Sequence, residues 1–257
     1  MKTFIQKGWR PCLVIILLFI IWESVTKIME VPAWLLPAPS QILQEAITGW
    51  PNYSHHLLST IQLALIGCLI GSSVGILVAI CLHRVPFIRE SFYPLLIVSQ
   101  NIPVIVLAPL LVIWFGFGIL PKIIVITLVC FFPITVAALD GFRQTSHELK
   151  HYMQMAGATK GQIFWKLEWP YALPSVFSGL KISATYSVMG AVISEWLGAK
   201  KGIGVYMTLA SSSFRTDRVF VAIFLIIFLA LLFFALIVRI ENRVIKWRPK
   251  EEGHKDE

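Results

Sequence analysis

Residues 141–170, GFRQTSHELKHYMQMAGATKGQIFWKLEWP, form a polar interval between two long apolar runs. Four basic residues are spread along it, at Arg143, Lys150, Lys160 and Lys166. Lys and Arg near apolar segments hold a loop on one side of a bilayer. The interval therefore predicts a loop outside the membrane, joining two segments that cross it.

The apolar runs around that interval set the class of protein. Of the 257 residues, 57% are hydrophobic and 14% charged, and the mean hydropathy is +0.76, whereas soluble domains contain about 25% charged residues. The runs are about 20 residues long, enough for a helix to cross a hydrocarbon core. Open strands would leave backbone groups unsatisfied in lipid. We therefore expect an all-α polytopic membrane protein with six transmembrane helices, at about 11–29, 57–82, 92–115, 120–140, 171–196 and 218–239.

Positive charge is divided unevenly between the segments that join these spans. With the N-terminus in the cytoplasm, 15 Lys and Arg residues lie in cytoplasmic segments and 6 in extracytoplasmic ones, leaving aside Lys181 within the fifth span. This asymmetry favours a multi-pass protein of the cell membrane with both termini, and the loop at 141–169, in the cytoplasm. The net charge of +8 is then explained by topology and contact with lipid, so we expect no nucleic-acid partner.

The remaining sequence leaves no room for a separate soluble domain. We expect one transmembrane domain over residues 1–250, followed by a charged cytoplasmic tail at 251–257. The chain has no GxxxxGK[ST] phosphate loop, HExxH or GxSxG motif, so we expect no catalytic residue and no cofactor. The four cysteines lack paired spacing and His55-His56 has no other ligand types nearby, which argues against a metal site. Energy for any transport must come from a partner or a gradient.

The polar interval contains signals for two short helices. Gly157 is expected to end the first, because glycine tolerates left-handed backbone angles. Thr159 and Gln162 have the spacing of a capping box at the start of the second, and Pro170 begins the fifth span. Two helices with apolar side chains outside the bilayer favour docking to a cytoplasmic partner. The alternative is that they rest on lipid headgroups.

The same interval resembles a known signature. Gly157, nine residues and then Leu167-Glu168-Trp169-Pro170 resemble the cytoplasmic motif of permease subunits of ATP-binding-cassette (ABC) importers, written EAA, three residues, Gly, nine residues, Ile-x-Leu-Pro. His151-Tyr152-Met153 stand where the EAA triplet would be. The resemblance therefore rests on Gly157 and Pro170 and departs at the triplet.

Three further stretches resemble one branch of these permeases. They are LLPAPSQIL (35–43), NIPVIVLAPLLVIWFGFGILPK (101–122) and SEWLGAKKGIGVYM (194–207), which look like the nitrate, taurine, alkanesulfonate and thiamine-precursor branch. The resemblance implies a type I ABC importer permease fold and a homodimer of two permease copies. It also implies a cytoplasmic ABC ATPase dimer that hydrolyses ATP and an extracytoplasmic solute-binding protein.

The resemblance also implies roles for residues of the loop. Those expected to couple it to the ATPase are Met155, Ala156, Gly157, Ala158, Thr159, Phe164, Trp165 and Pro170. The first five would dock into the ATPase, while Phe164 and Trp165 would anchor the loop. The alternative for Phe164 is packing against the spans of its own chain.

Polar residues inside the expected spans are candidates for a solute path, because burying polar groups in lipid is unfavourable. The candidates are Ser99, Gln100 and Asn101 before Pro103, and Ser183, Tyr186 and Ser187 in the fifth span. Hydrogen bonding between helices is the alternative role.

Glu195, near the outer end of the fifth span, precedes the glycine-rich loop Gly198, Gly202 and Gly204. We expect it to bind backbone N–H groups of that loop, and Asp140 to pair with Arg143. A gradient-driven secondary carrier would instead use Glu195 or Asp140 for ion coupling, and a non-transporting scaffold would use the loop only to recruit a protein. The pattern at 194–207 looks closest to permeases for pyrimidine precursors of thiamine, of the formylaminopyrimidine or hydroxymethylpyrimidine type. Alkanesulfonate, taurine and nitrate are the alternative solutes.

Overall fold

The computed structural model describes residues 2–246, so the expected tail at 251–257 lies outside the described residues. Within the described part, the secondary structure is helical and contains no strand. The helices are α1 (Lys2–Ile28), α2 (Pro39–Thr48), α3 (Trp50–Arg84), α4 (Pro86–Gln100), α5 (Val104–Phe115), α6 (Ile119–Arg143), α7 (His147–Met155), α8 (Lys160–Ile163), α9 (Trp169–Glu195), α10 (Ile203–Ser212) and α11 (Thr216–Val244). This confirms the all-α class.

Within residues 2–246, five helical segments are long and apolar enough to cross a membrane. They are Trp9–Ile28, Trp50–Arg84, Ile119–Arg143, Lys160–Glu195 and Thr216–Val244. The expected third span is instead two helices, α4 and α5, bent by 99° at the break between them. The span expected at 92–115 is thus broken near Pro103, and the pair completes six spans if it counts as one.

The break between α4 and α5 has a local cause. Pro103 stands at the N-cap of α5 with an extended backbone conformation, φ −61° and ψ 120°. Proline has no N–H to donate and disfavours helical geometry in the residue before it. The chain therefore leaves the helix at Asn101 and Ile102 and resumes it in a new direction.

The centre of the bundle is formed by α3, α6 and α9, which pack closely. Gly67 and Gly71 lie one turn apart on α3 and face α6. A Cβ atom at Gly67 would lie 2.4 Å from Cγ2 of Ile126, and one at Gly71 would lie 2.7 Å from Cβ of Cys130. Small residues at such positions let two backbones approach, which favours helix association in a membrane. The close approach brings both ends of α3 against α9, where the candidate functional groups are found.

The two ends of the bundle carry different short helices. At one end, α7 and α8 lie next to the end of α3 and the start of α9. At the other end, α2 and α10 lie next to the start of α3 and the start of α11. The sequence suggested that the second loop helix is separate from the fifth span. In the structure the two are continuous, because a π-helical turn at Phe164–Glu168 joins α8 directly to α9.

Candidate functional site at the loop between α6 and α9

The loop between α6 and α9 has the predicted helix, glycine, helix layout. Ser146 caps α7 by accepting a hydrogen bond from the backbone N–H of Leu149 at 3.4 Å. After α7, Gly157 adopts φ +78°, the left-handed conformation that commonly ends helices. The capping box is formed as expected, since the N–H of Gln162 donates to Oγ1 of Thr159 at 3.3 Å and the N–H of Thr159 donates to Oε1 of Gln162 at 2.8 Å. The sequence prediction of this local structure is confirmed.

One face of α7 exposes apolar side chains. Leu149, Tyr152 and Met155 recur every third residue, and the exposed fractions of Tyr152 and Met155 are 68% and 80%. Trp165, at the other side of the glycine, is 60% exposed. Exposed apolar patches on a surface commonly mark contact sites for another protein or a membrane. The face is available to a partner.

The predicted coupling residues fall into two groups. The first group is exposed and lies at the turn between α7 and α8 or just after α8; it contains Met155, Ala156, Gly157, Thr159 and Trp165. Ala158 is half-buried, as is Pro170 in the first turn of α9. Phe164 differs from the exposed group because only 2% of its surface is accessible.

Phe164 packs against its own chain, which was the alternative role considered from the sequence. Its ring centroid lies 5.6 Å from that of Phe142 at the end of α6 and 6.2 Å from that of His83 at the end of α3. The guanidinium of Arg84 lies 4.3 Å from the ring centroid, a cation–π geometry. Phe164 thus anchors the loop to the bundle and does not offer its ring to a partner.

A buried carboxylate next to Phe164 is a feature that the sequence analysis missed. Nζ of Lys150 donates to Oε1 of Glu168 at 2.5 Å, and Nε2 of His83 lies 3.0 Å from Oε2. These residues line a cavity of about 370 Å³ together with Arg84 and Phe164, and also with Gln154, Lys160 and Ile163. An acidic residue directly before Trp169-Pro170, at the start of the fifth span, was the available sequence signal.

At the opposite end of the bundle, Glu195 binds the glycine-rich loop as expected. Its side chain is 1% exposed, and Oε2 accepts a hydrogen bond from the backbone N–H of Gly204 at 2.8 Å. Oε1 accepts another from Oγ1 of Thr60, on α3, at 2.7 Å. The carboxylate therefore holds the start of α10 against α3 and α9.

Two side chains of α3, Thr60 and His56, complete this cap and were missed from the sequence. The N–H of Ile203 donates to Oγ1 of Thr60 at 2.8 Å, and the N–H of Gly202 donates to Nδ1 of His56 at 3.0 Å. The first N–H groups of a helix have no partner within the helix. Three successive N–H groups at the start of α10 thus find their acceptors on α3 and α9.

An ion-pair cluster on the same end joins α2 to the start of α11. Oε2 and Oε1 of Glu45 accept hydrogen bonds from Arg215 at 3.0 Å and from Arg218 at 2.9 Å. Hydrogen bonding to Asp217 raises the pKa of the Arg215 guanidinium above its ordinary value. The cluster fixes the short helix α2 on the bundle.

Asp140 also has the predicted partner. Its Oδ1 lies 3.8 Å from Nη1 of Arg143, one turn further along α6, and both side chains are exposed. The pair lies at the end of the bundle that carries the loop between α6 and α9, and it makes a weak surface contact.

The first three predicted solute-path residues lie at the break between α4 and α5. Ser99, Gln100 and Asn101 are exposed. Oγ of Ser99 donates to the carbonyl of Leu96 and Nδ2 of Asn101 donates to that of Ile97, each at 2.9 Å. Because these bonds stay within α4, Ser99 and Asn101 do not provide the interhelical hydrogen bonds considered as the alternative.

The other three predicted solute-path residues are divided between core and surface. Ser183 and Ser187 are fully buried. Oγ of Ser183 donates to the carbonyl of Cys130 on α6 at 2.7 Å, and Oγ of Ser187 donates to that of Ala184 at 2.8 Å. Ser183 thus makes the interhelical bond that was its alternative role. Tyr186 is 45% exposed and is the one of these three whose side chain is accessible.

Comparison with known proteins agrees with this architecture. Residues 71–246 match the family described as binding-protein-dependent transport system inner membrane component. The chain belongs to this family. It is 38% identical to a formylaminopyrimidine transport permease of Halalkalibacterium halodurans, over 94% of this chain and 97% of the relative. It is 28% identical to a putative aliphatic sulfonates transport permease of Bacillus subtilis, over 96% of this chain and 90% of the relative.

A solved structure supports the fold of this permease. The crystal structure of an amino acid ABC transporter with histidines superposes with a TM-score of 0.65, covering 77% of this chain and 96% of that chain, at 14% identity. The protein is therefore a multi-pass membrane permease component of an ABC importer, a class of subunit that is not itself catalytic. Membership of this family argues against the gradient-driven carrier and the scaffold considered from the sequence.

Proposed function

We propose that this permease imports a pyrimidine precursor of thiamine, of the formylaminopyrimidine or hydroxymethylpyrimidine type. The observation that carries the proposal is the 38% identity, over almost the full length of both chains, to a permease named for formylaminopyrimidine transport. The relative named for aliphatic sulfonates is 28% identical over a similar length. A sulfonate, taurine or nitrate is the alternative solute.

The complex that we propose contains two copies of this chain, a cytoplasmic ABC ATPase dimer and an extracytoplasmic solute-binding protein. ATP is hydrolysed on the separate ATPase. The described residues place α7, α8 and the ends of α3 and α6 at one end of the bundle, and the excess of Lys and Arg favours the cytoplasm for that end. Both termini then lie in the cytoplasm, and the Glu195 cap lies outside.

We propose that the ATPase docks on the exposed apolar face of α7 and on the turn that follows. Tyr152 and Met155 supply the exposed apolar surface, and Ala156, Gly157 and Thr159 leave the backbone of the turn accessible. Phe164, buried under the loop, provides the attachment to the bundle.

The solute path is proposed to include the accessible polar groups at the α4–α5 break and on α9. Ser99, Gln100, Asn101 and Tyr186 keep exposed side chains within apolar helices, and polar groups in such helices are stable where they face water or a partner. Ser183 and Ser187 are buried between helices and reach such a path only if the helices separate during transport.

Reconstitution tests the proposal. The permease, its ATPase and its binding protein would be placed in proteoliposomes with ATP on the cytoplasmic side, and uptake of labelled formylaminopyrimidine would be measured with taurine and an alkanesulfonate as competitors. We expect ATP-dependent pyrimidine uptake that a roughly tenfold excess of either sulfonate does not reduce. A factor of ten in affinity corresponds to about 1.4 kcal/mol of binding free energy. Uptake of the sulfonates in place of the pyrimidine would show that the solute assignment is wrong.

A further inference from the structure

Glu168 lies where three elements of the loop and the bundle meet. It ends the π-helical turn before α9, while Lys150 belongs to α7 and His83 to the end of α3. The two contacts to its carboxylate, 2.5 Å to Lys150 and 3.0 Å to His83, join these three elements at one side chain. The side chain of Glu168 is 8% exposed. A carboxylate this buried is stable only when it is paired, and the contact with His83 remains when Lys150 is replaced.

The π-helical turn is what directs Glu168 into the junction. Such a turn places one extra residue in the helix, and one residue corresponds to about 100° of rotation around the helix axis. Without the extra residue in Phe164–Glu168, the carboxylate would point away from Lys150 and His83. Turns of this kind are frequent at functional sites, and here the turn separates the loop helix from the membrane span.

The helix α7 is otherwise weakly attached to the bundle. Among its described residues, His147–Met155, none is buried. A cavity of about 370 Å³ lies beneath it, with Lys150 and Gln154 of α7 on one side and His83, Phe164 and Glu168 on the other. Apolar packing across this gap is therefore limited. The ion pair from Lys150 to Glu168 crosses it.

We propose that Glu168 is a positioning residue that transmits movement of α7 to α3 and α9 through its contacts with Lys150 and His83. This inference rests on the proposed function, in which the ATPase moves α7. A charge-assisted hydrogen bond is shorter and stronger than one between neutral groups, and it has a defined direction. A displacement of α7 acts on Lys150, and Glu168 passes it to the first turn of α9 and to the end of α3.

The test uses the full complex in proteoliposomes and measures solute uptake and ATP hydrolysis in the same vesicles. Glu168→Gln and Lys150→Met are each expected to lower uptake per ATP hydrolysed by about fivefold or more, the lower range of coupling between distant sites. The double variant should be no worse than Glu168→Gln alone, because that variant already removes the carboxylate that Lys150 binds. Asp140→Asn is the matched control, since Asp140 is an exposed carboxylate of the same end whose pair with Arg143 stays within α6.

Three additional readouts separate transmission from a merely structural role. Binding of the ATPase to detergent-solubilised permease and the melting temperature of the permease should be close to those of the wild type for Lys150→Met. The exchanged variant Lys150→Glu with Glu168→Lys should regain part of the lost uptake per ATP. If Glu168→Gln does not fold, Lys150→Met decides the question, because Lys150 is 38% exposed and tolerates replacement.

Two results would overturn the inference. One is unchanged uptake per ATP in Lys150→Met, and the other is a loss of uptake that follows the loss of ATPase binding or of stability. Absence of ATP-driven pyrimidine uptake by the wild-type complex would instead overturn the proposed function, so the two failures are distinguishable.

Discussion

Replacing Gly202 with alanine directly tests the end of the bundle where Glu195 binds the start of α10. Gly202 adopts φ +133° with ψ 156°, a conformation that costs a non-glycine residue about 1–3 kcal/mol. A Cβ atom there would lie 2.0 Å from Cδ of Glu195, and relieving such overpacking typically costs about 1–3 kcal/mol more. We therefore expect Gly202→Ala to destabilise the permease by about 2–6 kcal/mol in total.

The expected mechanism is displacement of α10 from Glu195. The carboxylate must move away from the new methyl group, and its hydrogen bond to the N–H of Gly204 is then lost. Thermal unfolding of the detergent-solubilised permease measures the effect. Gly161→Ala is the matched control, because a Cβ atom at Gly161 meets nothing within 4 Å and alanine favours a helix over glycine by about 1 kcal/mol. Equal melting temperatures for the two variants would refute the close contact between Gly202 and Glu195.

Three other substitutions test separate parts of the molecule. Gly157→Val should strain the turn by about 1–2 kcal/mol, because φ is +78° there. We expect this variant to co-purify with less ATPase. Normal co-purification with normal uptake would contradict the proposed docking turn. Phe164→Ala should destabilise the permease by about 3–5 kcal/mol by leaving a cavity, seen in thermal unfolding; a stability loss below about 1 kcal/mol would show that the ring is not part of the core. Glu195→Gln keeps an acceptor for Gly204 and should cost about 1–3 kcal/mol without changing the pH dependence of ATP-driven uptake. Ion-coupled uptake by the isolated permease that this variant abolishes would support a carrier instead.

The features that could be predicted from sequence are those set by neighbouring residues. Runs of about 20 apolar residues have one stable arrangement in lipid, which is a helix. Gly157, Thr159 and Gln162 specify the turn and the capping box of the loop because both depend on contacts within a few residues. The pairing of Asp140 with Arg143 follows from helical spacing in the same way. The partner of Glu195 was predictable because the glycine-rich loop follows it closely in the chain.

Contacts between distant segments could not be read in the same way. The 99° bend between α4 and α5 requires knowledge of the direction in which the second helix leaves Pro103. Whether a serine of α9 faces a solute path or a neighbouring helix depends on how α9 is rotated against α6. This rotation places Ser183 in the core. Polarity alone does not distinguish these two positions.

By itself, the sequence determined that the chain crosses a membrane as helices and what local geometry its charged loop adopts; the side on which that loop lies is an expectation from its Lys and Arg residues. The physical reason is that hydrophobic length, positive charge and helix capping act over one turn or one span. The tertiary structure decided that Glu168 meets Lys150 and His83, and that Thr60 joins Glu195 at the start of α10. These contacts join residues 18 to 135 positions apart, and only the tertiary arrangement of α3, α7 and α9 brings them within hydrogen-bonding distance.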